Sequence, residues 1–151
     1  MHSFLLPGEW LVTGRFFDPD GGETLTAGAA VVASSEQFPE ILKVGVELRG
    51  IGDSSRPDTQ TSSYHLELAG TSQVRFRMDS QALATVLLGS GTFTDQSLIL
   101  TYLSPTGRYV GFETFVAVAP GELLACGSFL ADGVVVKTWE VHLERVPPRE
   151  S

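Results

Sequence analysis

The chain has 151 residues, enough for one domain with its own core. Apolar residues make up 42% and charged residues 19%, a balance that fits a soluble globular protein. Eighteen acids against ten bases give a formal charge of −8. That disfavours nucleic acid, whose binding needs clustered Lys and Arg to release counterions, and it disfavours anionic membrane surfaces for the same reason. Arg75 and Arg77 form the one close basic pair, and Glu67 and Asp79 flank them. No run of about 18 apolar residues exists to span a membrane as a helix. The first seven residues lack the basic start of a signal peptide, and the single Cys126 leaves no internal disulfide framework, so a cytoplasmic location is expected.

Residues 11–17 alternate as a first strand, with Trp10, Val12, Gly14 and Phe16 on one face. Asp18-Pro19-Asp20-Gly21-Gly22 has turn chemistry, Pro fixing φ and Gly supplying positive φ. Residues 27–34 form a second strand of small side chains, suited to close backbone approach. Residues 35–40 read as a loop or one helical turn. Residues 41–49 alternate most cleanly, Leu42, Val44, Val46 and Leu48 against Lys43, Gly45, Glu47 and Arg49. Residues 50–62 are the longest polar stretch and are expected to be a mobile loop and candidate lid.

Residues 64–69 and 73–78 form a hairpin around Gly70-Thr71-Ser72. Residues 82–88 read as a strand, with a bulge or turn at Gly89-Ser90-Gly91. Residues 97–103 and 108–118 pair through Ser104-Pro105-Thr106-Gly107, and residues 123–130 and 134–146 pair through Ala131-Asp132-Gly133. Pro147-Pro148 ends the pattern, and residues 149–151 should fray. Nine or ten strands in successive hairpins, with no convincing helix, predict an all-β fold. The expected architecture is a single antiparallel up-and-down β-barrel of about 8–10 strands over residues 1–151, since closure removes exposed edges. A Greek-key sandwich is the alternative.

Gly8-Glu9-Trp10 at the head of the first strand resembles the G-x-W signature of the calycin barrels, the lipocalins and fatty-acid-binding-like proteins. The resemblance implies that Trp10 plugs the closed end and that Arg145 on the last strand packs across it. Thr94-Asp95-Gln96 resembles the lipocalin T-D-Y element, with Gln96 in the Tyr position. Gly8, Trp10 and Gly14 also fit part of the G-x-W-x-G-x-G opening of nitrobindin-like heme barrels, with Val12 at the middle glycine. His142 lies near the C-terminus, where that family places its heme ligand. Both resemblances imply binding of a small apolar or amphipathic molecule. No cofactor is expected, with heme the alternative.

Glu113 has two readings. If the face of Val110, Phe112, Thr114, Val116 and Val118 points inward, as its apolar character suggests, Glu113 is solvated. If the Tyr109 face points inward, Glu113 is a cavity carboxylate with a raised pKa. On the last strand the Trp139 face is expected inside, which puts His142 outside beside Glu140 and Glu144 and Lys137 at the cavity mouth. His2, His65 and His142 have no metal-ligand spacing. Asp18, Asp20 and Gly21 resemble the start of a calcium loop, but the continuation lacks its remaining ligands, so a turn is the better reading. Cys126 is read as a small core residue, and Ser90 lacks the nucleophile-elbow context.

The sequence thus predicts non-enzymatic binding of a small hydrophobic molecule in a barrel cavity. The expected lining is Val12, Phe16, Val44, Val46, Leu66, Phe76, Phe112, Phe129 and Trp139, with Trp10 and Arg145 as the structural plug and no metal. Nucleic acid and membrane insertion are not expected, and a homodimer is left open. Two alternatives stand beside this reading. One is a small isomerase, cyclase or hydrolase using Glu113 or His142. The other is an interaction module whose barrel is filled.

Overall fold

A computed structural model of the chain describes residues 5–51, 59–81 and 83–148. Ten strands follow in order: β1 (Gly8–Phe17), β2 (Glu23–Ser34), β3 (Ile41–Gly50), β4 (Thr59–Ala69), β5 (Gln73–Ser80), β6 (Thr85–Phe93), β7 (Ser97–Leu103), β8 (Tyr109–Ala119), β9 (Glu122–Ala131) and β10 (Val134–Arg145). Each strand pairs antiparallel with its sequence neighbours, and β1 pairs with β10 to close an up-and-down barrel. Closure satisfies the main-chain donors and acceptors that an open sheet would leave along its edges.

Turn chemistry sets the hairpins. Asp132 and Gly133 have φ of 51° and 78°, so both central residues of the β9–β10 turn are left-handed. That is the two-residue turn whose twist matches its flanking strands. At the β1–β2 turn the Asp18 amide donates to the Gly22 carbonyl at 2.8 Å. The C-terminal ends of β1, β3, β5, β7 and β9 gather at one end of the barrel and those of the even-numbered strands at the other, as the strand order requires.

Alternation puts one set of side chains inside. Trp10, Val12, Ala30, Val32, Leu42, Leu66, Phe76, Leu87, Leu98, Leu100 and Leu123 are all buried. Close strand approach explains several glycines: a Cβ at Gly28 would collide with the Glu47 carbonyl oxygen, and one at Gly89 with that of Thr101. Gly89-Ser90-Gly91 is therefore neither bulge nor turn. It lies within β6, regularly paired with β7 through Gly89↔Tyr102 and Gly91↔Leu100. The ladder is irregular instead between Ala117 and Ala119 and between Val135 and Lys137.

The expected loop over 50–62 is shorter than predicted. Thr59 to Ser62 belong to β4 and pair with β3, Gln60 opposite Leu48 and Ser62 opposite Val46. Residues 52–58 lie outside the described residues, and the lid reading falls on them. Cys126 is exposed, which corrects its assignment to the core. The inward set on β9 is Leu123, Ala125, Gly127 and Phe129, so Cys126 falls on the outer face.

The outer face is unevenly polar. Leu88, Ile99, Leu103, Phe112, Val116 and Leu124 are exposed on β6 to β9, where Glu122 is the one outward charge against the several on β3 to β5. Among the described residues no helix is long and apolar enough to cross a membrane, which leaves the strands untested in that respect.

Candidate functional site

The barrel is hollow. A cavity of about 510 Å³ runs along its interior, and residues from both ends line it. The filled-barrel alternative therefore lacks its premise. At the end where β1 begins, Leu5 and Trp10 lie beneath the cavity. Trp10 is 1% exposed, and its indole N–H donates to the Leu6 carbonyl at 3.0 Å, so Leu5 and Leu6 fold under the barrel floor. Asp18, Gln60, Ser80, Leu83 and Lys137 line the opposite end, which forms the mouth.

Of the residues the sequence pointed to, Val12, Phe16, Val44, Val46, Leu66, Phe76, Phe129 and Trp139 line the cavity. Phe112 does not: it is 47% exposed on the outer face. The correction extends to the whole of β8. The interior holds Tyr109, Gly111, Glu113, Phe115 and Ala117, while Phe112, Val116 and Val118 face out. Neighbouring aromatics decide this. Tyr102 is paired with Gly111, and Trp139 with Gly127. A Cβ at Gly111 would collide with the Tyr102 ring, and one at Gly127 with the Trp139 indole. Inward rings need glycine opposite, and a one-residue slip of β8 would bring Phe112 to that place.

Glu113 is thus inside, midway along β8, between Leu100 of β7 and Gly127 of β9. Burial raises its pKa from 4.5 to about 8, because the apolar surroundings disfavour the carboxylate. No side chain among the described residues offers it a hydrogen bond or ion pair. Facing it is an aromatic ladder. The Phe76 ring lies 5.6 Å from that of Tyr64 and 5.3 Å from that of Tyr102, centroid to centroid. Burial pushes both tyrosine hydroxyls above their ordinary range, and the nearby charge of Glu113 adds to the effect, while a Ser62 hydrogen bond opposes it at Tyr64.

Aromatic pairs also frame the upper cavity. Phe16 and Trp139 lie 5.9 Å apart, and Tyr109 stacks on Phe129 at 5.5 Å. The Lys137 ammonium lies 5.8 Å from the Phe16 ring centroid, so its expected place at the mouth holds.

Arg145 is paired with Trp10 but does not cover its ring by any cation–π contact among the described residues. Its Nε and Nη2 instead donate to the Pro7 carbonyl, at 3.1 and 2.7 Å. The guanidinium thus anchors the chain ahead of β1 through the main-chain acceptor that Pro7 presents there. His142 faces outward as expected. Its partner is Glu122 on the adjacent strand, Nε2 to Oε1 at 2.7 Å, rather than Glu140 or Glu144. Neither His65 nor His142 lines the cavity. Among the described residues no three His, Cys, Asp or Glu side chains converge as a metal site would need.

No known family matches the sequence, and no curated protein matches it. Solved structures do match its fold. Rv2717c from M. tuberculosis superposes with a TM-score of 0.74 at 16% identity, over 95% of this chain and 94% of that one. The S-type phycobiliprotein lyase CPES from Guillardia theta gives 0.71 at 11% identity, over 96% and 90%. A redesigned β-barrel, mFAP1, bound to DFHBI, gives 0.51 at 18% identity, over 93% and 95%. The likeness is one of fold. These barrels match nearly the whole chain, while the identities are too low to carry residue roles across.

Proposed function

We propose that this protein is a calycin-like barrel that binds one small hydrophobic or amphipathic molecule in its cavity without transforming it. The observation that carries the reading is the hollow interior itself. A cavity of about 510 Å³, walled largely by Val, Leu, Phe and Trp and reached from one end, is the size and character of a small-molecule site. Protein interiors otherwise pack to near crystal density, so an unfilled volume of this size costs stability unless something occupies it. The redesigned barrel bound to DFHBI is a case of the same fold holding a small molecule.

A titration with the dye anilinonaphthalene sulfonate tests this. One saturable site per chain is expected, with quenching of Trp139 as the dye enters. Binding that never saturates, or that leaves tryptophan emission unchanged, would argue against an accessible cavity.

Glu113 favours a second reading, a small enzyme of isomerase, cyclase or hydrolase type. A carboxyl with pKa near 8 in an apolar pocket is poised to exchange protons at neutral pH. Among the described residues no His or Cys lines the cavity to act with it as a nucleophile–base pair. Conversion of a bound molecule that Glu113→Gln abolishes while binding persists would establish this reading over simple carriage.

A further inference from the structure

The ligand class can be narrowed further, on the footing of the binding reading above. The cavity wall is apolar except at two places. The mouth carries Asp18, Gln60, Ser80 and Lys137, where water can reach them. The middle carries Glu113, Tyr64 and Tyr102. Glu113 has no donor from the protein among the described residues. Buried polar groups are nearly always hydrogen-bonded, so an unpartnered carboxyl aimed into a cavity points to a donor that arrives with the occupant.

The surroundings specify which donor. The Tyr64–Phe76–Tyr102 ladder lies near enough that the charge of Glu113 acts on both tyrosine hydroxyls. A carboxyl among aromatic rings suits a cation, which the ring quadrupoles attract as well. Both tyrosine hydroxyls offer further acceptors. Among the described residues the one cationic side chain lining the cavity, Lys137, is held near Phe16 at the mouth and makes no ion pair with Glu113. A formal charge of −8 on the whole chain draws cations toward it and repels anions. We propose that the natural ligand is an apolar amine, its basic nitrogen docked on Glu113 beside the Tyr64–Phe76–Tyr102 ladder and its hydrocarbon or aromatic body filling the rest of the cavity. A carboxylate ligand would have to hold its head at the Lys137 mouth, and an alcohol would leave the second oxygen of Glu113 unmet.

The test compares three probes that share one apolar body: octylamine, octanol and octanoate, each titrated calorimetrically into the full chain at pH 8. Octylamine is expected to bind about tenfold or more tighter than octanol, the range a hydrogen bond to a charged group supplies. Octanoate should bind weakest. In Glu113→Gln the amine advantage over octanol disappears. Equal affinity for amine and alcohol, or tightest binding of octanoate, overturns the amine assignment and leaves the cavity reading standing. Failure of all three to bind overturns both. The probe comparison on the wild-type chain decides the matter even if the variant does not fold.

Discussion

Replacing Glu113 by Gln is expected to remove a large pH dependence from the stability of the barrel. In the folded protein the carboxyl holds its proton up to about pH 8, whereas unfolded it releases it near 4.5. Between those values the folded state binds the extra proton, so stability falls as pH rises and levels off above about 8. Each tenfold difference in proton affinity is worth about 1.4 kcal/mol, so the loss is on the order of 5 kcal/mol at most. Water entering from the mouth lowers that figure. For a chain of this length about 1 kcal/mol moves Tm by roughly 2–4 °C. Thermal melts of both proteins from pH 5 to pH 9 should therefore diverge, the wild type losing about 5–15 °C relative to the variant. The amide has its own cost of burial, but that cost does not vary with pH. Melting curves that shift in parallel across this range would show that Glu113 ionises as an ordinary surface carboxyl, and the account of β8 would fail with it.

Three further outcomes follow from the same geometry. Trp10→Ala should destabilise the barrel by about 3–5 kcal/mol, the range for emptying a buried aromatic site, as read from denaturant unfolding. Phe129→Ala should weaken dye binding several-fold, while Phe112→Ala should leave it unchanged because Phe112 lies outside; the reverse order would restore the rejected face of β8. Octylamine affinity should rise from pH 6 to pH 8, by up to about tenfold per pH unit, as Glu113 becomes free to ionise. Tyr64 on β4 and Tyr102 on β7 stay protonated across that range, and Asp18 and Lys137 lie apart at the mouth. A flat pH profile by calorimetry would detach Glu113 from the ligand.

The fold was legible in the sequence because its signals were local. Alternation over residues 41–49 and 73–78 marked the strands and sorted their faces, residues 97–103 read as a strand, and Asp132-Gly133 marked a hairpin. Most of the lining came out the same way. The missed residues share a cause: over β6 to β9 the barrel exterior is itself apolar and almost free of charge, so the hydrophobic pattern no longer marks the inside. On β8 the stripe of Val110, Phe112, Val116 and Val118 looked like core and is not. The signal that could have settled it was steric. Gly111 and Gly127 lie opposite Tyr102 and Trp139, so two inward rings demanded two inward glycines, which fixes Glu113 inside as well. The polar start of β4 misled for another reason: Gln60 and Ser62 belong to the wetter mouth, where a strand need not be apolar.

The most direct test of the account is a native mass spectrum of freshly purified protein, taken with an absorbance scan before dialysis. A single stoichiometric extra mass, removed by organic solvent to leave the bare chain, is the result that a ligand-binding cavity predicts. A clean apo mass with a featureless spectrum, from protein that also fails to take up dye or octylamine when these are added, would contradict it.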